Sequence, residues 1–475
     1  MTTVPTDIIG EATYGELQNS LRGQVILPRD SGYEQARAVW NGAHDRHPAL
    51  IIRCAGTADV MKAVEFARSQ GLTVAVRGGG HSIAGFSTTD GGAMIDLSEM
   101  NAVTVDPPRR RATAQGGATW ADFDHETQAF GLAVTGGLVS TTGIGGLTLG
   151  GGLGWLMRRH GLACDSLVSA DVVTADGRLV RASADENADL FWALRGGGGN
   201  FGVVTSMEFA LHAVGPTVIG GALFFPAEAA RQIVAGWREL TTSMPDELTT
   251  LVNLTSVPPA PFLPESIHGK PVVVVGAVYC GPLDSAEDAV RPLRALAEPI
   301  VDNIGPVPYE AMQQAFDPLF PAGAHNYFTS AVLDALPDRA IGELLDQWSA
   351  KPTPQSELHL WHFGGAVARV PRTATAYTQR RAPYICEIIA RSPDGSGFGA
   401  DVTWARETRD GLARYGPGTM YVNFTGEAGE DKVRASYPTE TYAKLVAVKD
   451  RFDPANLFRL NQNIPPSGRP GAQVA

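Results

Sequence analysis

The sequence predicts an α+β protein made of two domains, the second of which has an antiparallel sheet covered by helices. The chain has 475 residues, more than one typical compact domain contains. Glycine is dense between residues 116 and 202 and becomes sparser after Leu211, which indicates a domain boundary there. Between 212 and 418, strand-like runs such as 272–275 and 384–390 alternate with helical stretches such as 227–240. This alternation is typical of an antiparallel sheet with helices on one face.

Composition and charge argue against several classes of function. Apolar residues make up 44% and charged residues 19% of the chain, as in a globular protein. The net charge of -12 repels phosphate backbones, so we expect no nucleic-acid partner. The first residues lack the basic start and apolar run of a signal peptide, and no apolar stretch reaches membrane-spanning length. We therefore expect a cytoplasmic protein without a membrane partner.

The cysteines predict neither a metal site nor a disulfide framework. All four are widely scattered, without CxxC pairs or nearby histidines. Ordinary thiols are the simplest interpretation.

A strand-helix-strand unit precedes the first glycine run. Residues 50–54 are strand-like, and apolar residues at helical spacing in 58–70 predict a helix, with Thr57 as its cap and Gly71 as its end. Residues 72–76 return to strand composition and lead into the run Arg77-Gly78-Gly79-Gly80-His81-Ser82. This run therefore lies in a loop at the end of a strand. Further along, Asp176-Gly177 between two strand-like runs predicts a hairpin turn.

The glycine runs do not fit the common nucleotide-binding fingerprints in their usual structural context. Residues 197–202 fit GxGxxG, but a helix-like stretch precedes them and a strand-like stretch follows, the reverse of the Rossmann order. The chain has no GxxxxGK[ST] phosphate loop. The run 77–82 offers another cradle, because successive glycines let backbone N–H groups converge on a pyrophosphate.

The glycine segments, taken in order, resemble those of the berberine bridge enzyme family. The similarity runs from the 77–82 loop through Gly145-Gly146-Leu147 and Gly154-Trp155 to the stretch 195–204, and ends with Tyr421-Val422-Asn423-Phe424 and residues 461–465. That family lies within the vanillyl-alcohol oxidase superfamily of FAD-linked oxidases. The resemblance implies an FAD-binding domain of two α/β subdomains over 1–211, a substrate domain over 212–418, and a C-terminal segment, 419–475, that returns to the first domain.

The resemblance also implies how the cofactor is held. In the family a histidine of the first loop is bonded to the methyl carbon on the flavin's benzene ring, and His81 occupies the matching position. A structural, hydrogen-bonding role is the alternative for this histidine. Many relatives have a second, cysteinyl link, but Val139 stands in place of that cysteine, so a single histidyl link is expected. By the resemblance, the residues around the cofactor are Arg77, Gly78, Gly79, Gly80, His81, Ser82, Gly85, Gly136, Gly137, Ser140, Thr141, Gly143, Gly146, Gly150, Gly154, Trp155, Gly199, Val203, Val204, Asn461 and Asn463.

Hydride transfer to flavin requires a base that removes a proton from the substrate. Alternation in 384–391 predicts that Ile385, Glu387, Ile389 and Arg391 share one strand face. Desolvation between the two isoleucines would raise the pKa of Glu387, and the family pattern places its catalytic glutamate there. The alternative is a surface glutamate paired with Arg391.

Two tyrosines are further catalytic candidates. Tyr421 belongs to an element that borders the active site in relatives, although Phe424 replaces a second tyrosine of that element. Tyr327 is a second choice for a pocket residue. His362 is interpreted as a packed histidine and not as a base.

The expected activity is oxidation of an alcohol, sugar or amine-type small molecule, with molecular oxygen as acceptor and hydrogen peroxide as product. Thr142 lies where relatives control access of oxygen to the flavin, and its polarity leaves a dehydrogenase with another acceptor as an alternative. A non-catalytic flavin-binding protein is the third possibility. Neither the substrate nor the oligomeric state follows from the sequence.

Overall fold

The computed structural model describes residues 10–259, 263–427 and 429–468. Its first sheet contains, in spatial order, the strands Gln24–Ile26, Leu50–Arg53, Ala93–Asp96 and Val74–Arg77. The first strand is antiparallel to its neighbour, and the others are parallel. Helix Thr57–Ser69 makes the crossover and buries Val60, Val64 and Ala67. The predicted strand-helix-strand unit is confirmed, with Gly56 and not Thr57 at the N-cap. Helices Glu11–Ser20 and Tyr33–Arg37 precede it.

The second sheet is antiparallel. Its strands, in spatial order, are Val103–Asp106, Arg111–Gln115, Val203–Ala210, Leu167–Val173 and Leu179–Ser183. The last two form the predicted hairpin, in which Gly177 has a φ of 82°. Strands Leu132–Ala133 and His212–Ala213 pair separately. The accompanying helices are Trp120–Gln128, Ile144–Leu149, Met157–His160 and Ala188–Leu194.

The third sheet is larger and also antiparallel. Its strands, in spatial order, are Val301–Asp302, Thr217–Pro226, Pro271–Tyr279, Leu248–Ser256, Glu357–His362, Tyr384–Ser392 and His325–Leu333. Strand Gly305–Pro308 pairs with Thr217–Pro226 beside the first of these. The predicted strands at 272–275 and 384–390 are therefore confirmed as parts of one antiparallel sheet, in which two other strands lie between them.

The two faces of the third sheet differ. Helices Ala230–Thr241, Ala286–Arg294, Asp338–Ser349 and Phe398–Leu412 cover one face. There Trp237, Ile341 and Trp404 pack with the sheet residue Cys386 in one core. On the other face, sheet residues such as Trp361 pack with Trp155 and its neighbours from the glycine-rich part of the chain. The α+β architecture is therefore as predicted, and the face without helices lies against the glycine-rich part. Shorter helices are Tyr309–Gln313, Gly365–Arg369 and Glu430–Ala435.

The C-terminal segment packs against the first part of the chain. Helix Thr439–Phe452 contributes Leu445 and Phe452 to the core that contains Phe201. The Lys449 ammonium donates hydrogen bonds to the Asn200 carbonyl oxygen at 2.8 Å and to the Asp453 carboxylate at 2.7 Å. The segment thus carries residues 459–464 back to the glycine loops. Within the described part of the chain, no helix is long and apolar enough to cross a membrane.

Candidate active site and cofactor cleft

A cavity of about 370 Å³ lies where the three sheets meet. Val76 lines it from the first sheet, Val203 and Val204 from the second, and Trp361 and Glu387 from the third. Thirteen of the predicted cofactor residues also line it: Gly78, Gly79, Gly80, His81, Ser82, Gly137, Gly143, Gly146, Gly150, Gly199, Val203, Val204 and Asn461. The structure therefore brings glycine segments that are distant in sequence to one cleft.

Two glycine loops of this cleft touch through bare backbone. A Cβ atom on Gly79 would lie 2.3 Å from the Gly143 nitrogen, and one on Gly143 would lie 2.4 Å from the Gly79 nitrogen. Such distances exclude any side chain at either position. Glycines of both loops line the cavity, and successive backbone N–H groups of such loops can form an anion cradle, which suits a pyrophosphate.

Several residues predicted to surround the cofactor do not line the cavity. The guanidinium of Arg77 pairs with the Asp96 carboxylate, with Nη2 2.6 Å from Oδ2, and donates to the Ala36 carbonyl oxygen at 2.6 Å. Arg77 therefore fixes the end of its strand instead of reaching a phosphate. Gly85 has a φ of 74°, and a Cβ there would lie 2.5 Å from the His44 ring, so this glycine makes a turn.

Four further exceptions also lie outside the cavity lining, namely Gly136, Ser140, Gly154 and Trp155. Ser140 donates from its backbone N–H and its hydroxyl to the Asp317 carboxylate, at 2.7 and 2.5 Å. A Cβ on Gly154 would lie 1.8 Å from the Gly136 carbonyl oxygen, so these two glycines allow two backbone segments to pack together. Trp155 is fully buried, and its ring centroid lies 5.9 Å from that of Trp361.

His81 is held in position by one ring and two hydroxyl groups. Its imidazole stacks on Trp40, with ring centroids 4.7 Å apart and an interplanar angle of 16°. Nε2 lies 2.9 Å from the Thr141 hydroxyl and Nδ1 lies 3.4 Å from the Thr142 hydroxyl. Desolvation lowers the pKa of His81 to about 4, because a low-dielectric environment disfavours the charged ring. The imidazole is therefore neutral near pH 7 and keeps a lone pair on one nitrogen. Trp40 and the contact with Thr142 were not found from sequence.

The C-terminal tail brings an unpaired acceptor to the cavity. Asn461 lines the cleft and donates to the Gly199 carbonyl oxygen at 3.3 Å. Its Oδ1 atom is buried and has no hydrogen-bond partner among the described residues, and the same is true of Asn463, which does not line the cavity. Buried acceptors are normally satisfied. A ligand that donates an N–H group, such as a flavin ring, fits at Asn461, and together with the glycine cradle the residues present suit FAD.

Glu387 lies in the cavity wall, on the strand face that the family resemblance predicted to meet the cofactor. Ile389 lines the cavity on the same strand face, and Cys386 packs in the helix-covered core on the other. The Glu387 side chain is buried, and its Oε2 accepts a hydrogen bond from Trp361 Nε1–H at 3.2 Å. The alternative of a surface glutamate is therefore wrong. Its proposed partner Arg391 lies instead 4.0 Å from the Glu357 carboxylate.

A buried histidine stands between two carboxylates beside the cavity. His359 Nδ1 lies 3.4 Å from Glu387 Oε2, and His359 Nε2 lies 3.4 Å from Glu357 Oε1. Glu357 Oε2 also accepts hydrogen bonds from Asn253 Nδ2 at 3.1 Å and from the Thr255 hydroxyl at 2.8 Å. Glu387 thus has charged and polar neighbours and does not lie among isoleucines alone.

Charge explains the protonation of this group. Burial alone would lower the pKa of His359, but the two carboxylates outweigh burial and raise that pKa to about 9. Burial would likewise favour the neutral acid at Glu357, but the cationic His359 and Arg391 hold the pKa of Glu357 well below its usual range. His359 is therefore an imidazolium near neutral pH.

His359 and Glu357 were missed from sequence. Residues 357–360 alternate in polarity, which indicates a strand, but His359 lies opposite Glu387 only through strand pairing. His362 is a packed histidine as interpreted. Its Nε2 accepts a hydrogen bond from Arg158 at 3.1 Å, and burial lowers its pKa to about 3.

Tyr421 places a phenol group in the cavity wall. Its hydroxyl oxygen accepts hydrogen bonds from the Gly152 backbone N–H at 2.7 Å and from Asn423 Nδ2 at 2.8 Å. Burial raises the pKa of Tyr421, so the phenol keeps its proton. It can steer or donate a proton, whereas its neighbour Phe424, with a ring centroid 4.9 Å away, cannot.

Tyr327 is not a pocket residue. Its side chain lies in the core on the helix-covered face of the third sheet, and its hydroxyl donates to the Glu427 carboxylate at 2.8 Å. The next residue, Phe328, lines the cavity. Successive strand residues point to opposite faces. The prediction for Tyr327 as a pocket residue is therefore wrong, and Phe328 is the residue that faces the cleft.

Comparison with known proteins identifies the family. A family model described as an FAD binding domain matches residues 48–183, and one described as berberine and berberine like matches residues 420–465. The chain is 34% identical over 458 residues to (R)-6-hydroxynicotine oxidase of Paenarthrobacter nicotinovorans, covering 94% of this chain and 98% of that one. It is 31% identical to a xylooligosaccharide oxidase of Thermothelomyces thermophilus, covering 88% of each chain.

A solved structure agrees with these matches. The crystal structure of 6-hydroxy-D-nicotine oxidase from Arthrobacter nicotinovorans superimposes with a TM-score of 0.81 at 30% identity, over 94% of this chain and 98% of that chain. The likeness covers both sequence-matched regions and the sheet between them. This chain therefore belongs to the berberine bridge enzyme-like family of FAD-linked oxidoreductases.

Proposed function

We propose that this FAD-linked oxidoreductase carries its flavin on His81, oxidises a small molecule through an alcohol or amine group, and passes the electrons to oxygen. One observation carries the proposal: a neutral imidazole, His81, and a buried carboxylate, Glu387, line the same cavity. The first group suits attachment of the cofactor, and the second suits removal of a proton from a substrate.

His81 supplies the nucleophile for the attachment. Its neutral imidazole would offer a nitrogen lone pair to the methyl carbon on the flavin's benzene ring, and oxygen would be the oxidant for this attachment. The stack on Trp40 and the contacts with Thr141 and Thr142 fix the ring for this bond. Val139 lines the cavity and has no thiol, and no cysteine is among the cavity-lining residues that the structure describes, which supports a single link.

Glu387 acts as the base. Bound FAD accepts a hydride at its N5 position, and Glu387 takes the proton from the substrate hydroxyl or amine. Trp361 and His359 both approach Oε2, which leaves Oε1 for the substrate. His359 stays protonated because Glu357 holds it from the other side. Tyr421 keeps its proton and orients the substrate oxygen or nitrogen.

Oxygen is the proposed acceptor because the relatives compared above are named oxidases. Thr142 lines the cavity next to His81. Equal amounts of hydrogen peroxide formed and substrate oxidised would support an oxidase. Turnover with a redox dye but without peroxide would instead identify a dehydrogenase.

The attachment is tested by denaturing the purified enzyme in acid and following flavin fluorescence and polypeptide mass. We expect FAD to remain on the wild-type chain and to be absent from His81→Ala. The control is His125→Ala, since His125 is an exposed histidine that does not line the cavity, and this variant should keep its flavin. Release of flavin from the wild type would remove the role of His81. A chain without any flavin would overturn the proposal as a whole.

A further inference from the structure

The end of the cavity around Glu387 is walled by aromatic side chains. Phe316, Phe320 and Phe328 follow one another, with ring centroids 6.3 and 6.2 Å apart. Phe316 also lies 6.2 Å from the His359 ring. The other aromatic residues of this wall are Trp361, Tyr421 and Phe424.

Hydrogen-bonding groups are few at this end. Within the described lining they are the Glu387 carboxylate, the His359 ring and the Tyr421 hydroxyl, and the first two are already paired with each other. Among the amide side chains of the lining, Asn423 donates to the Leu147 carbonyl oxygen, Asn461 to that of Gly199 and Gln462 to that of Glu427. A substrate with many hydroxyl groups would leave most of them without partners, which disfavours its binding.

Charge at this end is already compensated. Glu387 and Glu357 flank the protonated His359, and the Arg391 guanidinium lies 4.0 Å from Glu357. Among the described cavity-lining residues Glu387 is the only carboxylate, and it is paired with His359. The site therefore suits an uncharged molecule.

The aromatic wall is fixed in advance. The segment 316–320 is held at Asp317 by the backbone N–H and hydroxyl of Ser140, at 2.7 and 2.5 Å. At its other end the Leu319 carbonyl oxygen accepts a hydrogen bond from Arg391, whose guanidinium lies 4.6 Å from the centre of the Phe320 ring. A wall anchored at both ends loses little conformational freedom when a ligand binds.

We propose that the substrate is a small, uncharged, ring-bearing alcohol, and that Phe316 and Phe320 select its ring while Glu387 receives its hydroxyl proton. This inference rests on the proposed function, since it names the substrate class of the same site. Apolar rings gain from burial against aromatic faces. A single hydroxyl matches the one carboxylate oxygen, Oε1, that no described side chain occupies.

Ligand binding and flavin reduction test the proposed substrate class separately. Anisole, an uncharged ring without an oxidisable alcohol, should perturb the absorbance spectrum of the bound flavin, and cellobiose should not. In the absence of oxygen, benzyl alcohol and cyclohexylmethanol should reduce the flavin with a second-order rate constant at least about tenfold above those of glucose, cellobiose and benzylamine.

The outcomes distinguish the two proposals. Flavin reduction that is fastest with a sugar or with the cationic amine would overturn the substrate class and leave the proposed function intact. Binding of anisole without reduction by any probe would overturn the proposed function and keep the apolar, ring-binding site. Absence of a spectral change with anisole would count against the inference.

Variants of Phe316 and Phe320 test whether the aromatic wall selects the substrate. Phe316→Ala and Phe320→Ala should raise KM for benzyl alcohol about tenfold with little change in kcat, and Phe316→Leu should raise it less, because leucine keeps part of the apolar volume. Phe130→Ala is the matched control, since Phe130 is 52% exposed and should leave KM unchanged. Covalent flavin content reports on folding in each variant. An unchanged KM in both alanine variants with normal flavin content would contradict the role of the wall.

Discussion

Two histidines, His81 and His359, line one cavity and differ in what surrounds them. His81 comes from a glycine loop and touches the Trp40 ring and two threonine hydroxyls. His359 comes from the third sheet and lies 3.4 Å from each of two carboxylates. Desolvation lowers the pKa of His81 to about 4. The pKa of His359 rises to about 9, since the carboxylates outweigh an opposing effect of burial.

This difference separates two kinds of chemistry within one cleft. An imidazole without carboxylate neighbours stays neutral and can form a bond through its lone pair. An imidazolium between two carboxylates keeps its proton and acts as a fixed positive charge. The neighbours of a histidine, and not its enclosure alone, therefore decide which role it has.

The largest expected effect follows from removing the carboxylate that faces the cavity. Glu387→Gln should lower the rate of flavin reduction by about 10²- to 10⁴-fold, the usual contribution of a general base. It should also bring the pKa of His359 down toward that of His81. Glu357→Gln is the matched control, because Glu357 touches His359 from the side away from Glu387 and does not line the cavity. Equal rate losses in the two variants, measured by anaerobic stopped-flow, would contradict the assignment of the base.

The next effect is on stability. His359→Gln leaves two buried carboxylates without their cation and should lower the free energy of unfolding by about 3–5 kcal/mol, as breaking a buried pair does. His362→Gln removes a buried neutral histidine of the same strand and should lower the free energy of unfolding by less. Denaturant unfolding of both variants measures the difference, and similar losses would indicate that His359 is uncharged.

The two histidines should also give opposite dependences of stability on pH. The pKa of His359 is raised from 6.5 to about 9, so its contribution is fully present below pH 6.5 and is lost as pH rises through 9, up to roughly 3 kcal/mol. The pKa of His81 is lowered to about 4, so in flavin-free protein its contribution is present above pH 6.5 and is lost as pH falls through 4. Melting temperature against pH tests this, and an alkaline decline that persists unchanged in His359→Gln would assign it to other groups.

The smallest expected effect concerns a residue on the other face of the same sheet. Tyr327→Phe removes the hydrogen bond to the Glu427 carboxylate and should cost about 1–3 kcal/mol of stability. Flavin reduction should keep its wild-type rate, because Tyr327 does not line the cavity. A large fall in kcat would indicate that Tyr327 takes part in the reaction.

Local patterns explain what could be predicted. The glycine runs, the loop position of His81 and the strand face of Glu387 follow from spacing along a few residues. Tyr327 shows a limit of prediction from side-chain alternation. Alternation assigns residues to one of two strand faces, but it does not tell which face meets the cleft. Arg77 and Ser140 show the same limit. Each lies beside the glycine loops in sequence, yet each side chain pairs with a carboxylate, Asp96 or Asp317, and not with the cavity.

The sequence by itself determined the α+β class, the family resemblance, and a cleft lined by glycines with one histidine and one carboxylate. It could do so because these features depend on residue type and short-range spacing. Only the tertiary structure decided that Glu357, His359 and Glu387 form one charged group, that Phe316 and Phe320 line the same cavity as the base, and that Trp40 stacks on His81. These contacts join strands and loops far apart in the chain, and strand pairing and packing across the third sheet, not any local pattern, bring them together.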